Sequence, residues 1–139
     1  MNDEFFALHI TWTCYGTWLP GDPRGYVSNT LTPGSAYIPK QNIPGTPPMS
    51  NDSRTYSMAQ FNQKGDTVLL TPELAIVVCQ SLVGSADQRR WRILRGAVMR
   101  NHVHVVVCDC PDDGPGVRRV LKGVSQSDLT KHTGQSRRW

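Results

Sequence analysis

The run Met99-Arg100-Asn101-His102-Val103-His104-Val105-Val106-Val107 constrains this chain of 139 residues more than any other segment. Four of its residues are valines, and β-branched side chains favour a strand. Because successive side chains on a strand point to opposite faces, His102 and His104 share one face, with their Cα atoms roughly 6–7 Å apart. Two neutral imidazoles at that spacing can hold one divalent cation. The alternative is a chance spacing in which one histidine is simply a hydrogen-bonded core residue.

The segments before this run have the patterns of one strand and one helix. Glu4 to Trp18 is rich in aromatic and β-branched residues and is predicted to be a strand. His9 and Trp12 fall on opposite faces of it and cannot form one site on a regular strand. The alternatives for His9 are a position beside the metal or a satisfied core or sheet histidine. A helix is predicted from Thr71, which is a good N-cap, and the following Pro72 suits its first turn. Its apolar stripe, with Gly84 predicted to mark its end, consists of Leu74, Val77, Val78 and Leu82.

The second half of the chain predicts a hairpin and another helix. Trp91 to Val98 and His102 to Cys110 are predicted to be strands, joined by a turn at residues 99–101. Asp109 to Gly116 is predicted to be a turn. The amphipathic helix that follows has its apolar side at Val117, Val120, Leu121 and Val124, and its basic side at Arg118, Arg119 and Lys122.

The predicted order is strand, helix, strand, strand, helix, which favours an α+β fold. It fits a ferredoxin-like split βαβ layout, with an antiparallel sheet, helices on one face and the last elements missing at the C-terminus. A chain of 139 residues fits one domain. A long irregular insertion is predicted at about residues 20–66, where seven of the ten prolines lie.

Charge is concentrated in the half of the chain that carries the histidine pair. Residues 87–139 have eleven Lys and Arg against five Asp and Glu, a net charge of +6, whereas residues 1–86 have four against six. Such a basic half favours a nucleic-acid partner, although a solvated surface would have the same composition. The residues that we expect to contact DNA are Arg100, Asn101, Arg118, Arg119 and Lys122.

Several segments of the chain resemble the HUH-type single-strand DNA transposases, the small tyrosine transposases of insertion sequences and their REP-associated relatives. The histidine run is similar to their His-hydrophobic-His strand. Phe6 to Asp22, which reads FALHITWTCYGTWLPGD, looks like their first strand and the loop after it, and Val117 to Thr130 is similar to a following helix. The likeness is weakest over residues 23–66.

The resemblance implies a metal-assisted tyrosine mechanism of single-strand DNA cleavage and rejoining. It makes His102 and His104 the catalytic metal ligands for Mg²⁺ or Mn²⁺, and single-stranded or hairpin DNA the partner, with a homodimer possible. In the family, the nucleophilic tyrosine and the third polar ligand follow on a later helix. The tyrosines here precede His102 and are Tyr15, Tyr26, Tyr37 and Tyr56. We therefore expect a truncated transposase that binds DNA without cutting it, or alternatively a non-catalytic DNA-binding or regulatory module.

Other features narrow the setting of the protein. No stretch approaches the roughly 20 apolar residues of a membrane span, and the N-terminus lacks a basic secretory start, so that a cytoplasmic protein is expected. The scattered cysteines suit a reducing compartment. Cys108 and Cys110 continue the strand face of the histidines, but Cys108 is about 13 Å beyond His104, which is too far for one zinc site.

Overall fold

The computed structural model describes residues 6–26, 30–31, 37–38, 45, 47–111 and 113–139. Its elements are β1 (Ala7–Thr13), β2 (Thr30–Leu31), β3 (Tyr37–Ile38), α1 (Ser53–Phe61), α2 (Pro72–Arg89), β4 (Arg92–Val98), β5 (His102–Cys108) and α3 (Gly114–Thr133). They fall into two units, one of residues 1–15 and 68–139 and one of residues 16–67. The chain is thus an α+β protein, with a three-stranded antiparallel sheet and, in the described residues, three helices.

The sheet of the first unit has the order β1-β5-β4, and both pairings are antiparallel. β5 is the central strand, with Thr11 opposite His104 on one side and Ala97 opposite it on the other. The β4–β5 hairpin is confirmed, and it is closed by a hydrogen bond of 2.8 Å from the Met99 N–H to the His102 carbonyl. β1 ends earlier than the predicted Trp18, because a turn that includes Gly16, at φ 74°, follows soon after Thr13. The predicted start at Glu4 lies outside the described residues.

Helix α2 begins as predicted but runs further. The Thr71 side chain accepts a hydrogen bond of 3.3 Å from the Leu74 N–H, and Pro72 occupies the first turn. The prediction that Gly84 ends the helix is wrong, because α2 continues to Arg89. The end comes at Arg90, whose left-handed backbone (φ 59°) lets its N–H reach the carbonyls of the last turn.

Helix α3 begins at Gly114, two residues before the predicted end of the turn. The Asp113 side chain caps it by accepting from the Gly116 N–H at 3.1 Å, and Gly134 ends it in the left-handed conformation. Val117, Leu121 and Leu129 are buried at intervals of four and eight residues, which places them along one stripe of the helix.

The core of the first unit lies on one face of the sheet. Val103, Val105 and Val107 of β5 are essentially inaccessible to solvent and pack in one cluster with Val78 and Leu82 of α2, together with the buried stripe of α3. Both helices therefore cover the same face. The opposite face of β5 carries the alternate residues, which include the two histidines.

The second unit contains a helix that the proline content did not indicate. α1 lies inside the segment predicted to be irregular, and it is capped by Asp52, whose side chain accepts from the Arg54 N–H at 3.1 Å. Gly21, at φ 83°, permits the backbone of Asp52 and Tyr56 to come close, since a Cβ atom at this position would collide with both.

An ion pair organises the loop at the start of the second unit. Asp22 is buried, and its two carboxylate oxygens accept hydrogen bonds of 2.7 and 2.8 Å from the Arg24 guanidinium. The same guanidinium lies 4.5 Å from the centre of the Trp18 ring. These hydrogen bonds from Arg24 hold the pKa of Asp22 below its ordinary value.

Candidate functional site

His102 and His104 project from β5 on the sheet face that the helices leave open. Both are half-buried, whereas the intervening Val103 is fully buried on the helix side. The two imidazole rings stand edge to face, with their centres 4.8 Å apart. The predicted strand and shared face are thus confirmed, and the central position of β5 makes the pair part of a rigid element.

Asn101 fixes the orientation of the His102 ring. The distance from the His102 Nδ1 atom to the Asn101 Oδ1 atom is 2.6 Å. Because a carbonyl oxygen only accepts, Nδ1 carries the proton in this contact. The neutral imidazole then has its lone pair on Nε2, which is the arrangement of a metal-binding histidine whose other nitrogen donates to a neighbour.

A third histidine joins the pair from the neighbouring strand. Thr11 is opposite His104, so that His9 and Thr11, two residues apart on β1, lie on the histidine face. The Nε2 atom of His9 is 3.1 Å from the Nδ1 atom of His104, and the two rings are stacked with their centres 5.3 Å apart. The structure places His9 beside the histidine pair and gives its ring a hydrogen-bond partner, which fits both alternatives for this residue. Trp12 packs against the core on the other face, as predicted.

The donor atoms of His102 and His104 are of a type that binds divalent metals. Two neutral imidazole nitrogens are ordinary ligands of divalent metals, and His102 already has its outer nitrogen tied to Asn101. In the part of the chain that the structure describes, no group of three or more His, Cys, Asp or Glu side chains is placed to hold a metal ion. Two histidine ligands would leave positions on a divalent cation for water or for a ligand.

Two arginines of β4 lie on the same sheet face as the histidines. Their spacing in the sequence did not predict this shared face. Arg95 pairs with Val106 and Arg92 pairs with Cys108, which are residues of β5 on the histidine face. The two arginines are three residues apart, a spacing that places side chains on opposite faces of a regular strand. A register shift between Ile93 and Arg95 adds one residue to β4 and restores the common face.

The five predicted DNA contacts divide between two regions of the first unit. Arg100 is exposed in the β4–β5 turn, beside Asn101 and close in sequence to His102. The other three lie on α3, which covers the opposite face of the sheet. Arg118 and Arg119 are exposed there, whereas Lys122 is half-buried, and burial followed by the charge of Arg118 lowers the pKa of its ammonium group. The structure does not bring these three residues to the histidines, and their contact with DNA stays a prediction.

The tyrosine of the first unit does not lie on the histidine face. Tyr15 is the tyrosine of that unit, and it packs against the core with the Arg138 guanidinium 5.8 Å from its ring centre. Tyr26 is buried and Tyr56 is half-buried on α1, both in the second unit. The side-chain surroundings of Tyr37 lie outside the described residues.

The expectation that Cys110 continues the histidine face is wrong. β5 ends at Cys108, and Asp109 adopts a left-handed backbone with φ 57°. The chain therefore bends, and Cys110 packs against the core cluster. Cys108 itself is buried, with its sulfur 3.2 Å from the Arg92 Nε atom.

Comparison with known proteins adds no family to these observations. Neither a protein-family model nor a curated protein sequence matches this chain. Among the described residues, no helix is both long enough and apolar enough to cross a membrane.

Proposed function

We propose that this protein binds single-stranded DNA, as a free strand or at a hairpin, through a divalent cation held by His102 and His104. The observation that carries the proposal is the pair of adjacent imidazoles on an open sheet face, with the ring of His102 oriented by Asn101. Buried structural histidines would lie on the helix side, and both residues here point away from it.

The cation would act on a phosphate of the DNA. Two nitrogen ligands leave coordination positions for a phosphate oxygen and water, and the bound ion neutralises charge on the phosphoryl oxygens as a Lewis acid. Of the two ions that the resemblance implies, nitrogen donors suit Mn²⁺ better than Mg²⁺, which prefers an all-oxygen shell. His102 and His104 hold and orient the ion in this scheme.

The arginines beside the histidines supply the remaining attraction for the strand. Arg92 and Arg95 have exposed positions on the same face, and Arg100 follows in the turn. Arginine guanidinium groups pair well with phosphates, and neutralising several phosphates makes the affinity depend steeply on salt. An open sheet face with positive charge at its edge is a surface on which single strands, with splayed bases, can lie.

We also propose a ferredoxin-like layout for the first unit, and the strand order of its sheet supports it. The first, second and third strands of the first unit occupy the spatial order first, third, second, and a fourth strand in that layout would pair beside β1. Tyr15 packs against the core instead of the histidines. The proposed function is therefore DNA binding of the transposase type without cleavage by the histidine-bearing unit alone.

A second candidate is a DNA-binding or regulatory module that uses no metal. The presence of Arg92 and Arg95 on the histidine face favours it, because their charge attracts phosphate whether or not a cation is bound. The two candidates predict different effects of metal removal, and one binding experiment separates them.

The experiment measures the fluorescence anisotropy of labelled single-stranded and hairpin oligonucleotides with Mn²⁺ or with EDTA. For the metal-dependent function, we expect Mn²⁺ to strengthen binding by about tenfold or more, and the His102→Ala, His104→Ala double variant to lose that gain. His132→Ala is the matched control, because His132 lies on α3 and contacts Glu73 at 2.8 Å. Equal, salt-dependent affinity with Mn²⁺ and EDTA would establish the metal-free module, and absence of DNA binding in both conditions would contradict both candidates.

A further inference from the structure

The contact between His9 and His104 is the feature of the site that the proposed function leaves unused. It joins two side chains from different strands, across the Nε2 and Nδ1 atoms, at 3.1 Å. His9 is exposed, so that water is available to satisfy its ring without this contact. The two ring planes are close to parallel, with an angle of 18° between them, so that a nitrogen of one ring meets a nitrogen of the other.

The direction of this hydrogen bond decides whether His104 can bind a metal. If His9 donates, the Nδ1 atom of His104 accepts, and its Nε2 atom then carries the proton. In that form neither nitrogen of His104 has a free lone pair. If His104 donates from Nδ1, its Nε2 atom keeps a lone pair for a ligand bond.

His102 already carries its proton on Nδ1, which is the second of these two forms. Asn101 accepts from its Nδ1 atom at 2.6 Å, which leaves the Nε2 lone pair free. Only when His104 donates to His9 do the two histidines of β5 present the same atom with the same protonation. A shared cation requires a free nitrogen lone pair on each ring, and this arrangement supplies one on both Nε2 atoms.

We propose that His9 is a positioning residue, which accepts a hydrogen bond from the Nδ1–H of His104 and thereby fixes the Nε2 atom of His104 as a ligand atom. Asn101 and His9 then have the same role toward the two neighbouring histidines, one from the turn and one from β1. The part of the proposal that concerns the cation rests on the proposed function. The assignment of the proton does not, because it is a property of the metal-free protein.

The first test is therefore made without metal. Long-range ¹H–¹⁵N NMR spectra of the histidine side chains distinguish the two neutral tautomers at a pH where the rings are neutral. We expect His104 and His102 both to have the proton on Nδ1 in the wild type. In His9→Ala, His104 is expected to lose this preference while His102 keeps it. A wild-type His104 with its proton on Nε2 would overturn the proposal.

The second test compares two substitutions of His9 by Mn²⁺ titration. Glutamine at this position retains an acceptor oxygen at the end of a side chain of similar reach, whereas alanine has none. We expect His9→Ala to weaken Mn²⁺ binding by about 10–100-fold, as losses of such outer partners do, and His9→Gln to restore most of it. Equal affinity of the wild type and His9→Ala would overturn the proposal.

Pulsed EPR of the bound Mn²⁺ tests whether His9 is itself a ligand. Two coordinated imidazoles are expected in the wild type and in His9→Gln, whereas three in the wild type would make His9 a ligand and overturn the positioning role. If the wild type does not bind Mn²⁺ through His102 and His104, the proposed cation site fails, and the tautomer measurement still decides the hydrogen bond.

Discussion

Replacing Asn101 by alanine tests the part of the site that has the shortest contact. The Oδ1 atom of Asn101 is 2.6 Å from the Nδ1 atom of His102. Alanine at position 101 removes this hydrogen-bond acceptor and leaves the His102 side chain itself unaltered. A side-chain hydrogen bond of this kind contributes about 0.5–1.5 kcal/mol, and 1.4 kcal/mol corresponds to a factor of ten in an equilibrium constant. We therefore expect Asn101→Ala to weaken Mn²⁺ binding by about tenfold, and by no more than the roughly hundredfold limit for such outer partners.

The assay is a Mn²⁺ titration followed by EPR or calorimetry, with Asn101→Asp as the matched variant. Aspartate keeps an acceptor oxygen for the His102 Nδ1–H, so that its Mn²⁺ affinity should be at least that of the wild type. The backbone carbonyl of Asn101 accepts from the Cys14 N–H at 2.8 Å, and this bond remains in both variants. An unchanged affinity in Asn101→Ala, in a variant whose melting temperature is also unchanged, would refute the reasoning that ring orientation controls the site.

Three further perturbations test the core, the loop and the charged face. Leu121→Ala removes a fully buried side chain of α3 and should lower the free energy of unfolding by about 2–5 kcal/mol in urea titrations, and a smaller loss would contradict its place in the core. Asp22→Asn should destabilise residues 16–67 by about 2 kcal/mol at neutral pH in hydrogen exchange. Because Arg24 lowers the folded-state pKa of Asp22, its stabilisation is present above the ordinary value near 4 and is lost as the pH falls, and the variant should lack this loss. Arg95→Ala should reduce single-strand affinity and its salt dependence more than Arg118→Ala, and the reverse result would place the DNA on the helix side.

Most elements of the first unit could be predicted from the sequence, because residues close together in the chain determine where they form. The valines of β5 encode a buried strand, and Thr71 with Pro72 encodes a helix start, each through contacts of a few residues. The end of α2 was placed too early because Gly84 is compatible with a helix interior at modest cost. Arg90 ends the helix by adopting a left-handed conformation that no local preference of arginine indicates.

The site was only half predictable, because half of it depends on register. The shared face of His102 and His104 follows from the period of one strand. The contact of His9 with His104 depends on how β1 pairs with β5, which periodicity within either strand does not determine. Helix α1 was missed for a related reason, since its start depends on Asp52 and on the close approach that Gly21 permits.

The register shift of β4 also determines which changes of chain length this protein can accept. Deleting Leu94, the extra residue between Ile93 and Arg95, would leave Arg92 and Arg95 two residues apart on a regular strand, so that both would stay on the histidine face. A regular pairing of β4 that kept Leu94 would instead turn Arg92 over to the helix side and move its charge toward the apolar core. In comparisons with homologous chains, a gap at Leu94 therefore preserves the charged face, whereas an added residue at this point changes it unless the bulge is retained.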